Sequence, residues 1–139
     1  MLSGEYSHTL DTKNRLILPA KLREELGAEI VLTKSVDSCV SLYTRKSWLA
    51  FTEKLDALPD TETRLVKRFL YSAAFETSID AQGRLLIPPH LCQYAGLTKN
   101  VKVIGVGNRV EIWDAAAWDQ TISAVDINQV ISTMEKLGL

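Results

Sequence analysis

One nine-residue pattern occurs twice, and this repetition limits the possible folds more than any other feature of the chain. The run from Asp11 to Pro19 (DTKNRLILP) recurs from Asp80 to Pro88 (DAQGRLLIP), an offset of 69 residues. The correspondence continues through Leu22 and Leu91, and through Gly27 and Gly96. After one inserted residue it resumes at an offset of 70, matching Val31 with Val101, Val36 with Val106, Val40 with Val110, Tyr43 with Trp113 and Trp48 with Trp118. A spaced pattern of Asp, Arg, Leu, an aliphatic residue and Pro, followed by a shared tail, marks an internal duplication.

Each copy reads as a β-β-α-β-β unit. An extended stretch comes first, Glu5 to Leu10 or Phe75 to Ile79, and then a tight connection. Asn14 and Gly83 hold the same place in that connection, and both residue types tolerate positive φ. A short hairpin turn requires such a residue. Arg15–Leu18 and Arg84–Ile87 are the expected return strands. Pro19 and Pro88 end them and favour a helical first turn. Leu22 and Leu26 share a helical face, and Gly27 and Gly96 read as helix C-caps. Two further strands follow in each copy: Ile30–Thr33 with Cys39–Tyr43, and Val101–Ile104 with Val110–Trp113. Asp37-Ser38 and Gly107-Asn108 are the turns between them.

A helix is expected after each unit, with Thr44 and Asp114 as N-caps. Trp48, Phe51, Leu55 and Leu58 recur at helical spacing, as do Trp118 and Ile122. Pro59-Asp60 interrupts the first helix, and a second is expected over Thr61 to Ala74, with an apolar stripe of Leu65, Phe69 and Ala73. A last helix is expected from Ile127 to Leu137. These stripes read as packing faces. The domain plan is a first module over 5–50, a helical connector over 51–75, a second module over 76–119 and a C-terminal helix over 120–139. A unit of about 45 residues buries too little surface to be stable alone. Duplication therefore implies an intrachain pseudo-dimer, an α+β, β-rich fold in which each half completes the other's core.

Composition narrows the chemistry. Hydrophobic residues form 46% of the chain, enough for a packed core. No apolar run approaches the roughly 20 residues that span a bilayer, and the N-terminal segment lacks the basic start of a signal peptide. These features point to a cytosolic protein. Cys39 and Cys92 stand apart from each other, as do His8 and His90, so no metal site or cofactor is expected. Free cysteines in such a chain read as reduced core residues. No nucleophile motif or phosphate-binding loop accompanies Asp11 and Asp80, so the chain does not read as an enzyme. The net charge of −1 runs against the basic excess usual in nucleic-acid binders. Residues 1–70 hold 11 basic and 10 acidic groups, so neither half is strongly basic. Positive charge must then be concentrated locally, or gathered by self-association.

The paired motif resembles the MraZ family, part of the AbrB/SpoVT group of swapped-hairpin DNA-binding proteins. The resemblance extends over Gly4-Glu5-Tyr6, Asp11 through Pro19, Leu22 through Leu26, Ile104-Gly105-Val106 and Arg109 through Trp113. It implies two AbrB-like modules in a pseudo-dimeric double-hairpin barrel with flanking helices. It also implies a cytoplasmic, nucleoid-associated regulator that forms ring-like homo-oligomers. Such proteins bind short direct repeats of double-stranded DNA upstream of a division and cell-wall gene cluster, and repress their own operon. The chain departs from the family at Asn14, where Gly is common, and at Cys92, where a basic residue is common.

Arginine offers a planar fork of donors suited to guanine or phosphate. Arg15, beside a stiff turn, is the leading candidate for base contact, with Lys13, Lys21 and Arg23 as phosphate contacts from the same copy. Arg84 is the second-copy counterpart, with fewer basic neighbours in sequence. Asp11, Asn14, Asp80 and Gly83 are expected to brace the turns. The competing reading of Arg15 and Arg84 is a simple ion pair with Asp11 and Asp80. Arg64, Lys67 and Arg68 read as a solvated helix face. An antitoxin-like interaction module, binding a protein partner with DNA secondary, is the rival function.

Overall fold

The computed structural model describes all 139 residues. Fourteen elements follow one another: β1 (Leu2–Thr9), β2 (Arg15–Ile17), α1 (Ala20–Leu26), β3 (Glu29–Lys34), β4 (Val40–Thr44), α2 (Arg45–Asp56), α3 (Asp60–Tyr71), β5 (Phe75–Ser78), β6 (Arg84–Leu86), α4 (Pro89–Ala95), β7 (Asn100–Gly107), β8 (Val110–Asp114), α5 (Ala115–Ser123) and α6 (Ile127–Lys136). The punctuation expected from the sequence is present. Asn14 and Gly83 have φ of 59° and 77°. Gly96 caps α4 in the left-handed region, and Thr44 and Asp114 accept the amides of Ser47 and Ala117.

The pairing differs from two self-contained hairpins. Within each turn one backbone bond joins the two arms, from Asp11 N–H to Arg15 O at 2.9 Å and from Asp80 N–H to Arg84 O at 3.0 Å. The turn aspartates take the neighbouring amide hydrogens of Lys13, Arg15, Gln82 and Arg84. Beyond that point the arms separate and each finds a partner in the other copy. β1 pairs antiparallel with β7, β5 with β3, and β2 with β6. The result is a six-stranded antiparallel sheet in the order β1-β7-β8-β4-β3-β5, with β2 and β6 forming a separate two-stranded ribbon. The strands do not close into the barrel that the family resemblance implies. The fold is α+β and strand-rich, with an open sheet and a ribbon.

A local two-fold relation is written into the register. In the ribbon Leu16 faces Leu85, its own equivalent, while Arg15 faces Leu86 and Ile17 faces Arg84. At the centre of the sheet Ser41 faces Glu111, again its equivalent. Both copies feed one core. Leu16, Leu18, Leu22, Ile30, Leu32 and Leu42 pack in a single cluster with Leu85, Ile87, Leu91, Val101, Val103 and Ile112. A polar tie crosses the same seam, the Tyr94 hydroxyl donating to Ser35 O, and Thr33 Oγ1 ties β3 to the end of α3 by donating to Leu70 O.

Several helical stripes are less buried than their spacing predicts. Trp48 and Leu55 are buried, but Leu58 lies beyond the end of α2 and is exposed. On α3 the buried residue is Thr63 and Leu65 is 76% exposed, whereas Ala73, just past the helix end, is buried in the core as expected. Ile122 on α5 is also exposed, and α6 buries no side chain. Helical spacing identifies an apolar face, and only the neighbouring elements decide whether it is covered. Cys39 is buried, and desolvation pushes its thiol up to about 12, leaving it a core residue rather than a nucleophile. No helix is long and apolar enough to cross a membrane.

A shared core predicts shared unfolding. Leu16→Ala or Leu85→Ala should each cost about 2–5 kcal/mol, and each should lower the stability of both copies together. Hydrogen exchange should show α1 and α4 losing protection in parallel. Loss confined to the mutated copy would contradict the shared core.

Candidate nucleic-acid interface

The two turns are built from the same three contacts. Asp11 Oδ1 accepts the Lys13 and Arg15 amides at 2.9 and 2.8 Å, and its Oδ2 accepts Arg15 Nε at 2.7 Å. Asp80 Oδ1 accepts the Gln82 and Arg84 amides at 2.9 and 2.8 Å, and its Oδ2 accepts Arg84 Nε at 2.8 Å. Each carboxylate therefore shapes its turn and orients its arginine at once. The four-residue spacing is what allows this: it returns the arginine backbone and side chain to the same aspartate. Asp11, Asn14, Asp80 and Gly83 all lie within these turns, the last two completing the second copy's version.

The arginines are held by the inner edge of the guanidinium. Their side chains are 30% and 31% exposed. The terminal nitrogens of Arg15 make no hydrogen bond within the chain, and those of Arg84 make one long contact, from Nη2 to Gln82 Oε1 at 3.4 Å. Ion pair and outward presentation are thus compatible, because the two functions use different nitrogens. Side chains alternate along a strand, so Leu16 and Leu85 point into the core while Arg15, Ile17, Arg84 and Leu86 share the ribbon's outer face. Ile17 and Leu86 are 53% and 44% exposed. The ribbon thus presents two arginines and two aliphatic side chains in a diagonal arrangement. Sequence reading named the arginines and passed over Ile17 and Leu86, although alternation with Leu16 and Leu85 was the available signal.

Other basic candidates are distributed differently from their order in sequence. Lys13 is exposed in the first turn and Lys21 is exposed on α1. Arg23 leaves its own copy and lies against the second turn. A Cβ placed on Gly83 would stand 2.7 Å from Arg23 Cζ, too close to coexist with it. The Arg23 Nε is buried and unpartnered. The seam is stitched by backbone as well: Leu18 N–H donates to Gly83 O at 3.1 Å, and Ile87 N–H donates to Asn14 O at 2.9 Å. On α3, Lys67 lies 3.6 Å from Asp56 and 3.7 Å from Asp60, as a charged helix surface does.

Turn geometry also sets the titration of the aspartates. The Arg15 amide above all, helped by the Arg15 guanidinium and the Lys13 amide, holds the Asp11 carboxyl below its ordinary range against the opposing effect of desolvation. Asp80 is lowered in the same way by Arg84 and Gln82. A carboxyl whose folded value is depressed contributes its stabilisation in full above the unfolded value, about 3.9, and loses it as pH falls through the lower folded value. Neither turn should therefore change between pH 5 and 8. Carbon-detected NMR titration should place the midpoints of Asp11 and Asp80 below that of an unstructured aspartate, and midpoints at or above it would contradict the clamp.

Comparison with known proteins bears on both halves of the chain. Residues 1–69 and 70–135 each match the family model described as "MraZ protein, putative antitoxin-like". A transcriptional regulator MraZ of Clostridium acetobutylicum is 45% identical over 142 residues, an alignment that covers both proteins completely. The protein of that name from Caldicellulosiruptor bescii is 45% identical over 143 residues, again along both full lengths. The Moorella thermoacetica protein is 47% identical over 122 residues, covering 86% of this chain and 85% of its own. The duplicated turns, the exchanged strands and this likeness along the whole length agree: the chain belongs to the MraZ family and carries two tandem copies of the family's domain.

Proposed function

We propose that the chain is a transcription regulator that binds double-stranded DNA through the ribbon and its two flanking turns. The observation that carries this reading is the pair of guanidinium groups fixed at Nε by Asp11 and Asp80, with the terminal nitrogens of Arg15 unbonded and those of Arg84 in one long contact with Gln82. A two-stranded ribbon fits the major groove. There Arg15 and Arg84 would grip guanine edges, while Ile17 and Leu86 would meet thymine methyl groups. Lys13, Lys21 and Arg23 would contact phosphates. Preorganisation matters because each arginine loses little freedom on binding. The names of the relatives support regulation of transcription. The family resemblance supports the finer reading of a cytoplasmic, nucleoid-associated repressor acting on its own division and cell-wall gene cluster.

A single weakly charged surface binds poorly, and repetition offsets this through effective concentration. Two apolar surfaces support self-association. One is a groove lined by Val36, Leu65, Val66, Phe69 and Leu70. The other is α6, where Ile127, Val130, Ile131 and Met134 are all exposed. Two different patches on one molecule make a head-to-tail contact, and such contacts close into rings when the rotation permits. A ring would set several ribbons against direct repeats. The antitoxin-like rival assigns the α6 face to a foreign protein instead.

Arg15→Ala should remain folded and assembled while losing about 1–3 kcal/mol of affinity for DNA from upstream of its own gene. Unchanged affinity would remove Arg15 from the interface, and a salt slope near zero would exclude phosphate-driven attachment. For assembly, Ile131→Glu should reduce the mass measured by light scattering to that of a smaller species. A wild type that is monomeric at all concentrations would refute the ring.

A further inference from the structure

The two copies differ at two positions that sequence keeps far apart and the structure brings together. Arg23 of α1 corresponds to Cys92 of α4, and Asn14 of the first turn corresponds to Gly83 of the second. Arg23 does not cover its own turn. It crosses the seam and lies over Gly83, where even a Cβ would collide with its guanidinium carbon. The two-fold register of the ribbon places α4 toward the first turn as α1 is placed toward the second. Leu18 N–H reaches Gly83 O just before α1, and Ile87 N–H reaches Asn14 O just before α4. Cys92 is thus the residue that α4 offers to Asn14. It is short, and its Sγ turns back 3.5 Å from Ile87 O in its own copy. Gly83 is buried, whereas Asn14 is only half-buried, as the sizes of the two covering residues require.

We propose that Arg23 with Gly83, and Cys92 with Asn14, are two settings of one size-matched pair across the module seam, which deliver the Arg23 guanidinium to the second turn and make the two DNA-facing turns chemically unequal. The part that concerns DNA rests on the function proposed above. Where the turn residue lacks a side chain, a long cation lies across it. Where the turn residue has one, the opposite helix carries a small residue. The buried Nε of Arg23 has no partner, and its two terminal nitrogens make no hydrogen bond in the chain and reach solvent. They add cationic donors beside Arg84. The first turn has Lys13 and Arg15 and receives nothing from Cys92. Arg23 therefore acts as a phosphate-contacting residue of the second turn, and Gly83 as the positioning residue that admits it.

Two variant cycles test this, read as affinity for upstream DNA and as the slope of that affinity with salt. Asn is tolerated at positive φ, as Asn14 itself shows, so Gly83→Asn fits the backbone and displaces only the arginine. Gly83→Asn and Arg23→Cys should each weaken binding about tenfold and reduce the salt slope by about one phosphate contact, and the double variant should be no worse than either. In the mirror cycle Cys92→Arg should gain little alone, and Cys92→Arg with Asn14→Gly should raise both affinity and slope. Additive losses in the first cycle, or a Gly83→Asn variant with unchanged affinity and slope, would overturn the proposal. If the wild type binds no DNA, the regulatory reading itself falls. Thermal unfolding then decides the size-matched pair, which requires coupling between positions 23 and 83 and none between 23 and 14.

Discussion

Each turn aspartate commits both carboxylate oxygens inside its own turn, and the arrangement of the whole chain follows from that. One oxygen holds two amide hydrogens and the other holds an arginine Nε. Those amide hydrogens are then unavailable to a local hairpin ladder. The two arms part after a single backbone bond, and every buried backbone group still needs a partner. In the structure those partners come from the other copy. Exchange of β1 and β5, the central ribbon and the common core are consequences of a turn that satisfies itself.

Electrostatically the same turns explain how a chain of net charge −1 holds two arginines partly exposed at its surface. Each arginine is paired with a carboxylate, so the turn adds little net charge. What it adds is fixity: each guanidinium is held at Nε by its own aspartate. A surface of this kind gains from shape and repetition more than from long-range attraction, which is screened within about 8 Å at physiological salt. Apolar side chains of α3 and α6, Leu65 and Ile131 among them, are left uncovered within the chain.

Much of the fold was legible in the sequence because its signals are local. Asn14 and Gly83 announced positive φ, Thr44 and Asp114 announced helix starts, and Asp11 with Arg15 announced a braced turn. What was not legible depends on partners. Leu65 and Ile122 have the spacing of buried residues but lack a neighbouring element to bury them. Ile17 and Leu86 lie in apolar runs yet face outward, because the residues beside them, Leu16 and Leu85, occupy the two-fold axis.

The sequence by itself determined the duplication, the turn chemistry and the order of strands and helices. Each of these is encoded within a few consecutive residues, where backbone geometry and hydrogen bonding leave few alternatives. Tertiary structure alone decided which strand pairs with which, that the sheet stays open beside a separate ribbon, and that Arg23 serves the turn of the opposite copy. Those outcomes depend on contacts between residues about sixty positions apart, as with Arg23 and Gly83, and packing at that distance leaves no periodic trace along the chain.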